Sequence, residues 1–367
     1  MARRVVTNKV TAVQPDDRRN PDSRLSELLR KGTGRTHTCA AAGAWREGKM
    51  LFEGCTGYTT TGGKTRRRVT RDCLFDIASI TKIFTSIIVM QSCEEGLLSL
   101  DDAAGDIVPG LSGEGLRKST VFELMSHTSG LPALRNSMKR CASRASVLRV
   151  LNYVDVGKRC VPVYSDLGFM LLGEIVETIH GKREDELIRE RITEPLELHS
   201  TLYNPDRSGC CAPTGYSHIR KRDLICETHN EVVARMDGVA GHAGLFSTLG
   251  DLATFASTVL SDCVEGTGVL LRQSSLKKMI RPVSDIFGMP YGLGLMLRTK
   301  DDGGYPIERG VVFGHTGHTG TSVWMDVDRR LVSILLMNND AVGGTLEDVR
   351  GIRNEFHSFA AAVADKG

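Results

Sequence analysis

The sequence predicts an α+β fold, in which one antiparallel β-sheet is built from both ends of the chain, flanked by helices, and carries an inserted, mostly helical region. Segments rich in β-forming residues lie near the start of the chain, three more lie near its end, and helical patterns fill the middle. Because strands from distant parts of a chain can share one sheet, we expect the two ends to meet in a single layer.

The first elements are a helix and a hairpin. A helix is predicted over residues 21–32, PDSRLSELLRKG, where three leucines share one face and Gly32 ends the pattern. Two β-rich segments follow, Thr38 to Trp45 and Met50 to Tyr58. The intervening REGK predicts a hairpin with Gly48 in its turn.

Helical patterns with clear end signals occupy the middle of the chain. Thr120 and Glu123 are spaced as a capping box, and Thr248 with Asp251 repeats that spacing. Between them, DLGFMLLGEIVETIH predicts a strongly apolar helix that ends at Gly181.

The end of the chain returns to β-structure. VVFGHTGHTG, TSVWMDV and RLVSILLMNN predict consecutive strands, and a final helix follows Gly344. We therefore expect a flexible tail over residues 1–20, a sheet domain formed by residues 21–85 and 245–367, and an inserted helical domain over residues 86–244.

Composition excludes several classes of protein. The net charge of +3 in 367 residues gives no reason to expect a nucleic-acid partner, and the basic run from Lys64 to Arg68 is typical of a solvated loop. No uncharged apolar run reaches the length of a membrane span. The N-terminus is basic but lacks the apolar stretch of a signal peptide, so a cytoplasmic location is expected.

Ten cysteines are an unusual feature of this chain. They form no C-x-x-C pair and are not spaced with histidine as zinc ligands, so no metal site is predicted. Several lie in apolar segments, where a free thiol behaves as a small hydrophobic side chain. Free thiols in a reducing compartment are the expectation.

Ser79 and Lys82 stand at the start of an apolar helical pattern, in DIASITKIFTS. Residues three apart share a helix face, and a buried lysine loses its charge more easily and can then take a proton from a hydroxyl. In isolation, however, this pair is more often a capping serine and a lysine that reaches water.

Two further segments support the hypothesis that Ser79 and Lys82 are a reactive pair. Tyr164 and Asp166 directly precede an apolar helix, and a phenol near a lysine cation can lose its proton more readily. In GHTGHTGTSVWMDV, glycines at the start of a strand would let a substrate approach the backbone closely. The structural alternatives are a half-buried tyrosine and a tight bend before a buried strand.

Together these segments resemble the serine β-lactamase and penicillin-recognising family, and most of all class C β-lactamases, related esterases and D-alanyl-D-alanine carboxypeptidases. The similarity also takes in ELMSHTSGLP, EPLELHSTLYNP, GVAGHAGLFSTLGDLATF and YGLGL, and spans most of the chain. Its three motifs occur in the family's order: Ser79-x-x-Lys82, Tyr164-x-Asp166 and His315-Thr316-Gly317.

The resemblance implies roles for individual residues and no metal or organic cofactor. Ser79 would be the acylated nucleophile, Lys82 would activate it, and Tyr164 would relay the proton and later protonate the leaving group. His127 and His242, in segments that recur in the family, are expected to shape loops.

The third motif would bind the substrate. The resemblance implies an oxyanion hole made by the backbone N–H of Ser79 and of His318, just after the Gly317 turn. Thr316 would help to hold the acyl side of the substrate.

Two departures from the family pattern bear on the substrate. Asp166 stands where asparagine is most typical, and its carboxylate is expected to keep Lys82 charged and shift the burden of proton transfer to Tyr164. His315 stands where β-lactamases have lysine. An unperturbed histidine titrates near pH 6.5, so cephalosporin turnover is expected to be weak at pH 7.5 and to improve toward pH 6, and His315→Lys to raise it.

The sequence thus predicts a serine hydrolase that acts on a small-molecule ester, amide or peptide, most of all on small esters. A D-alanyl peptide carboxypeptidase or a weak class C-like β-lactamase is the alternative, and a non-catalytic or assembly-forming family member is a second one. The oligomeric state is left open.

Overall fold

The computed structural model describes residues 20–59, 67–134, 136–206, 210–286, 288–298 and 310–366. The tail predicted over residues 1–20 lies outside these residues except for Asn20, and so do Lys64 and Arg66 of the basic run.

The described chain forms strands β1 (Cys39–Arg46), β2 (Lys49–Gly57), β3 (Phe75–Asp76), β4 (Leu202–Tyr203), β5 (Pro213–Ser217), β6 (Arg222–Ile225), β7 (Leu245–Ser247), β8 (Ser284–Ile286), β9 (Met289–Tyr291), β10 (Met296–Arg298), β11 (Val312–Thr316), β12 (Ser322–Asp326) and β13 (Leu331–Met337). Its helices are α1 (Pro21–Gly32), α2 (Thr81–Glu94), α3 (Ala104–Ile107), α4 (Glu114–Arg117), α5 (Val121–Met125), α6 (Arg144–Asn152), α7 (Asp166–His180), α8 (Glu184–Ile188), α9 (Glu231–Arg235), α10 (Leu249–Val264), α11 (Gln273–Met279) and α12 (Leu346–Ala364).

The main sheet has eight antiparallel strands in the order β2-β1-β13-β12-β11-β10-β9-β8. The N-terminal hairpin therefore lies against the last strand of the chain, with Ala41 opposite Leu336. This arrangement confirms the predicted fold class, an α+β protein whose sheet is built from both ends of the chain.

Both faces of the sheet are buried, which explains why its central strands lack a polar face. Alternate residues of β13 point to opposite sides: Ile334 joins the core that contains Phe255 of α10, and Leu335 joins the core that contains Phe356 of α12. Helices therefore cover the sheet on both sides, as in a layered α+β fold.

The predicted helix ends are present. Thr120 and Glu123 form a reciprocal capping box at α5, and Gly181 ends α7 in the left-handed conformation, with φ of 63°. The Thr248 side chain accepts the backbone N–H of Asp251 at the start of α10.

Helix α2 is buried on almost every side, whereas an ordinary amphipathic helix has one face exposed to solvent. It contacts α7 and α8, and Phe84 stacks on Phe255 of α10 with ring centroids 4.0 Å apart. Any polar side chain on this helix must therefore find its partners inside the protein.

The region over residues 86–244 contains α3 to α9, the strand β4 of a small sheet in the order β3-β7-β4, and the hairpin β5-β6. The proposed division into a sheet domain and an inserted helical domain, with boundaries at 85/86 and 244/245, stays a prediction. Within the described residues, no helix is both long and apolar enough to cross a membrane.

The cysteines differ from expectation at one pair. Cys73 and Cys210 form a disulfide, with Cα atoms 4.8 Å apart, and the other eight are free thiols. The two residues are 137 positions apart and adjacent only in the fold, so their spacing gave no sign of pairing. The expectation of free thiols throughout was wrong for these two.

Asn338, at the end of β13, connects three parts of the chain. Its Oδ1 accepts the backbone N–H of Thr38 and of Cys39, at 2.9 and 3.1 Å, and its Nδ2 donates to the Pro213 carbonyl at 2.9 Å. The side chain is 2% exposed, so water cannot replace these partners.

Asn338→Ala should lower the free energy of unfolding by about 2–4 kcal/mol, because it leaves buried backbone groups without hydrogen bonds. Urea denaturation followed by circular dichroism measures this, with the exposed Asn136→Ala as the matched control. Equal stability of the two variants would contradict this account.

Candidate active site

Ser79 lies between a short strand and a buried helix. After β3 the chain forms a 3₁₀ turn over Ala78–Ile80, and α2 begins at Thr81. Ala78 has φ of 49°, a conformation that costs energy for a residue with a Cβ, and its N–H is held by Asp76 Oδ1 at 2.9 Å. Ser79 therefore does not cap the helix, as a structural serine would. It is partly exposed and directly follows the strained residue Ala78.

Lys82 is completely buried, and three oxygens surround its amine. Nζ lies 3.1 Å from Ser79 Oγ, 2.7 Å from Asp166 Oδ1 and 3.0 Å from the His242 carbonyl oxygen. A lysine that merely snorkelled to water would not have this environment. The predicted proximity of Ser79 and Lys82 is present.

The three partners of Lys82 are chemically different. The Asp166 carboxylate and the His242 carbonyl can only accept hydrogen bonds, whereas the Ser79 hydroxyl can accept or donate. A neutral amine would give its two N–H bonds to the two acceptors and direct its lone pair at the Ser79 hydroxyl. The site thus suits both protonation states of Lys82, and loss of a proton orients the amine as a base toward Ser79.

Burial lowers the pKa of Lys82 from its ordinary value of 10.5, and the Asp166 carboxylate raises it against that effect. Burial would also raise the pKa of Asp166, but Lys82 lowers it to about 2. Asp166 is therefore ionised at neutral pH. Burial thus makes Lys82 a better base than an exposed lysine, whereas Asp166 acts in the expected direction and favours the charged form. The expected shift of proton transfer to Tyr164 stays a prediction.

Tyr164 is half-buried beside the lysine, with Nζ 4.8 Å from its ring centroid. Burial raises its pKa well above 10, Asp166 raises it further, and a hydrogen bond with the Ser79 side chain lowers it. This is opposite to the expected direction, because burial is the largest influence on the Tyr164 pKa. Tyr164 is therefore suited to donate a proton more than to remove one.

His127 and His242 organise the loops around this group. His127 Nδ1 accepts the backbone N–H of Ser165 at 3.1 Å, and its ring lies 4.6 Å from that of Tyr164. Gly241 brings the His242 carbonyl to Lys82, since a Cβ at Gly241 would lie 2.4 Å from the Phe169 carbonyl. The His127 contacts agree with the expected loop-shaping role, whereas position 242 contributes its backbone carbonyl and the role of the His242 ring stays a prediction.

The turn after β11 is fixed against the residues that precede Ser79. Thr319 Oγ1 donates to the Asp76 carbonyl at 2.8 Å, and Thr321 Oγ1 donates to the Ile77 carbonyl at 3.3 Å. At Gly317 a Cβ would come within 2.6 Å of the Ile77 carbonyl, so only glycine permits this approach. The third motif and the turn that carries Ser79 are thereby held together.

Arg353 of α12 secures the same turn from the other side. Its Nη2 donates to the carbonyls of Gly317 and Thr321 at 2.6 and 2.9 Å, and its Nε donates to Gly320 at 3.1 Å. These carbonyls therefore point away from the site. His318 is exposed and follows Gly317 directly, and its backbone N–H stays a predicted oxyanion donor together with that of Ser79.

The other two third-motif residues lie in β11. Thr316 donates through Oγ1 to the Met296 sulfur at 3.6 Å, which leaves its expected substrate contact a prediction. His315 is 1% exposed and donates through Nδ1 to the Thr316 carbonyl at 2.7 Å. Burial lowers the pKa of His315 to about 3.

The expectation that His315 titrates near pH 6.5 was therefore wrong. A histidine that is buried on a central strand stays neutral across physiological pH. The proposed His315→Lys variant would place an ammonium in the same buried position, and it is not a usable test.

Three residues that support the site, Asp76, His229 and Arg353, were not predicted from the sequence. Asp76 Oδ2 accepts both the backbone N–H and Nδ1 of His229, at 2.8 and 2.9 Å, while Oδ1 holds Ala78. The Asp76 carboxylate raises the pKa of His229 against the effect of burial. This pair supports the turn before Ser79 from residues 153 positions apart, and no local pattern could indicate it.

Comparisons with known proteins agree with this geometry. The chain is 28% identical over 338 residues to a protein of Escherichia coli K12 named "Putative D-alanyl-D-alanine carboxypeptidase", an alignment that covers 82% of this chain and 76% of that protein. Among solved structures, EstCE1, described as a hydrolase with promiscuous acyltransferase activity, matches with a TM-score of 0.76 at 16% identity over 94% of this chain and 98% of that one.

A class C β-lactamase from Rhodobacter sphaeroides matches with a TM-score of 0.71 at 18% identity, over 95% of this chain and 99% of that one. At such identities these structures show the shared fold. The model of the Beta-lactamase family matches residues 25–353. With the predicted sheet and motif order, this match shows that the chain belongs to the Beta-lactamase family of serine hydrolases.

Proposed function

We propose that this protein is a serine hydrolase that forms an acyl-enzyme at Ser79 and acts on small esters. The observation that carries the proposal is the buried Lys82 amine, held by two pure acceptors and 3.1 Å from Ser79 Oγ. Lys82 would take the Ser79 proton as Oγ attacks the ester carbonyl, and the N–H groups of Ser79 and His318 would stabilise the oxyanion.

Tyr164 completes the proposed cycle. Because its pKa is raised, its hydroxyl is protonated at neutral pH and can donate to the leaving alkoxide. The proton that Lys82 took from Ser79 would pass to the Tyr164 oxygen, so that Lys82 is neutral again and can accept a proton from the water that attacks the acyl-enzyme. The two side chains share one proton path, so loss of either should affect both half-reactions.

The preference for esters rests on the third motif. β-Lactams and D-alanyl peptides carry a carboxylate, and His315 is buried and neutral. The Arg353 guanidinium lies beside this motif, but it already donates hydrogen bonds to three backbone carbonyls. A substrate carboxylate therefore has no free cation to bind among these described residues. A D-alanyl peptide is the second candidate substrate, supported by the name of the E. coli relative. Weak class C-like β-lactam turnover and a non-catalytic role are the further alternatives.

A cytoplasmic location is part of the proposal. Eight free thiols support a reducing compartment, whereas the Cys73–Cys210 disulfide is more typical of an oxidising one. Cells can be lysed directly into an alkylating reagent and the alkylated cysteines counted by mass spectrometry. Ten alkylated cysteines would indicate a reducing compartment, and eight would indicate that the disulfide forms in the cell.

Ser79→Ala should abolish covalent labelling by a fluorophosphonate probe and reduce p-nitrophenyl ester turnover to background. The fold should persist, because the Ser79 side chain caps no helix. Intact-mass and peptide mapping locate the label, and Ser86→Ala, in the helix α2 that follows the Ser79 turn, is the control. Turnover above a few per cent in Ser79→Ala would remove Ser79 from the mechanism, and a folded wild type that resists the probe would favour the non-catalytic alternative.

Asp166→Asn should move the acid limb of the acylation-rate profile to lower pH. Asp166 raises the pKa of Lys82, so removing its charge lowers that pKa and leaves the amine neutral at a lower pH. Asparagine retains an oxygen that can accept from Nζ. The pH dependence of single-turnover acylation measures the shift, with the exposed Asp101→Asn as control. An unchanged limb, or one that moves to higher pH, would show that Lys82 is not the base.

The ratio of cephalosporin to ester turnover should stay constant between pH 6 and 8. His315, with a pKa of about 3, is neutral throughout this range, and no charge appears on it as the pH falls. Parallel assays of a chromogenic cephalosporin and p-nitrophenyl acetate give the ratio. A rise of several fold toward pH 6 would mean that His315 titrates in this range.

A further inference from the structure

Three metal-ligating side chains meet beside the third motif. His229 precedes α9, His318 follows β11, and Asp340 lies in the 3₁₀ turn Asn339–Ala341. One ligand atom from each lies within 4.8 Å of the other two. His318 is exposed and the other two are partly exposed, so an ion can reach them from solvent.

The distances suit a small divalent cation. His318 Nε2 and Asp340 Oδ1 are 3.4 Å apart. Tetrahedral zinc with bonds of about 2.1 Å separates its ligands by about 3.4 Å. The His229 ligand atom lies within 4.8 Å of the other two, so a side-chain rotation that shortens these distances by up to about 1.4 Å and turns the ring toward the ion would complete the set.

His229 has the supporting partner that a metal-binding histidine usually has. Its Nδ1 lies 2.9 Å from the Asp76 carboxylate, which fixes the ring and makes Nε2 the nitrogen that faces a ligand. Carboxylate–histidine–metal arrangements of this kind orient the ring and raise its basicity.

We propose that His229, His318 and Asp340 bind one Zn²⁺ ion and leave a coordination position open to water. Two imidazoles and one carboxylate are a common ligand set for zinc, and three protein ligands are typical of an open site. The prediction of no metal rested on cysteine spacing and could not detect ligands at positions 229, 318 and 340.

The bound ion would connect the turn after β11, which contains His318, to the 3₁₀ turn of Asp340 and to the segment of His229. The Asn339 N–H already donates to the Thr319 carbonyl at 2.7 Å, so the turn and the 3₁₀ segment touch through one backbone bond. Zinc would add a second connection, through His318 itself, and a third to His229. This inference goes beyond the proposed hydrolase activity and does not depend on it.

The test uses the tag-free full chain after chelator treatment, titrated with Zn²⁺ in competition with a chromophoric chelator, and with Co²⁺ for its absorption spectrum. One ion per chain should bind, the Co²⁺ spectrum should lack a thiolate charge-transfer band, and Zn²⁺ should raise the midpoint of thermal unfolding. His318→Ala and Asp340→Asn should each weaken binding at least tenfold, whereas the exposed His199→Ala should leave it unchanged.

The absence of stoichiometric binding at micromolar Zn²⁺ would overturn the proposal. So would a thiolate band in the Co²⁺ spectrum, which would place the ion on the free cysteines, or an affinity that His318→Ala and Asp340→Asn leave unchanged. Circular dichroism of each variant separates loss of ligands from loss of fold. Because binding is read without substrate, failure of the metal site and failure of the hydrolase proposal are distinguishable.

Discussion

The enclosure of the Lys82 amine is the interaction on which the rest of the site depends. A buried lysine is costly unless its N–H groups have partners, and here they come from three separate parts of the chain: Ser79 on the turn before α2, Asp166 at the start of α7, and the His242 carbonyl. The same requirement that stabilises Lys82 in the core therefore also brings Ser79, Asp166 and the loop of His242 together around its amine.

A second constraint holds the oxyanion side of the site. The Ser79 turn is strained at Ala78, and the Asp76 side chain fixes it by accepting the Ala78 N–H. The backbone carbonyls of residues 76 and 77 accept hydrogen bonds from the two threonine hydroxyls of the turn after β11. Arg353 secures this turn from α12. The N-terminal and C-terminal parts of the sheet thus meet at the site, and a strained turn persists because its surroundings determine it.

Local patterns predicted the elements well and the chemistry in part. Hydrophobic patterns, helix-capping residues and turn glycines are short-range signals. The hairpin around Gly48, the capping box at Thr120 and the left-handed end of α7 at Gly181 could therefore be predicted. The S-x-x-K spacing likewise placed Lys82 near Ser79. Proton affinities were not foreseeable, because burial decides them: it lowers the pKa of His315 and raises that of Tyr164, against expectations based on unperturbed side chains.

Partners that are distant in sequence were also beyond local reasoning. Asp76 meets His229 and Cys73 meets Cys210 only because β3 lies beside the segments that follow β4. Resemblance to a family supplied the roles of Ser79 and Tyr164, which residue chemistry alone left weaker than their structural alternatives. The support around them, from Arg353 to Asp76, required the three-dimensional arrangement.

The protonation of Lys82 tests the central claim most directly. Protein labelled with ¹³C at the lysine side chains can be titrated by NMR, with the Lys82 signal assigned by its absence in Lys82→Met. The account predicts a pKa clearly below the ordinary 10.5, and a further decrease in Asp166→Asn. A Lys82 that titrates at or above 10.5 would contradict the proposal that Lys82 is the base that activates Ser79.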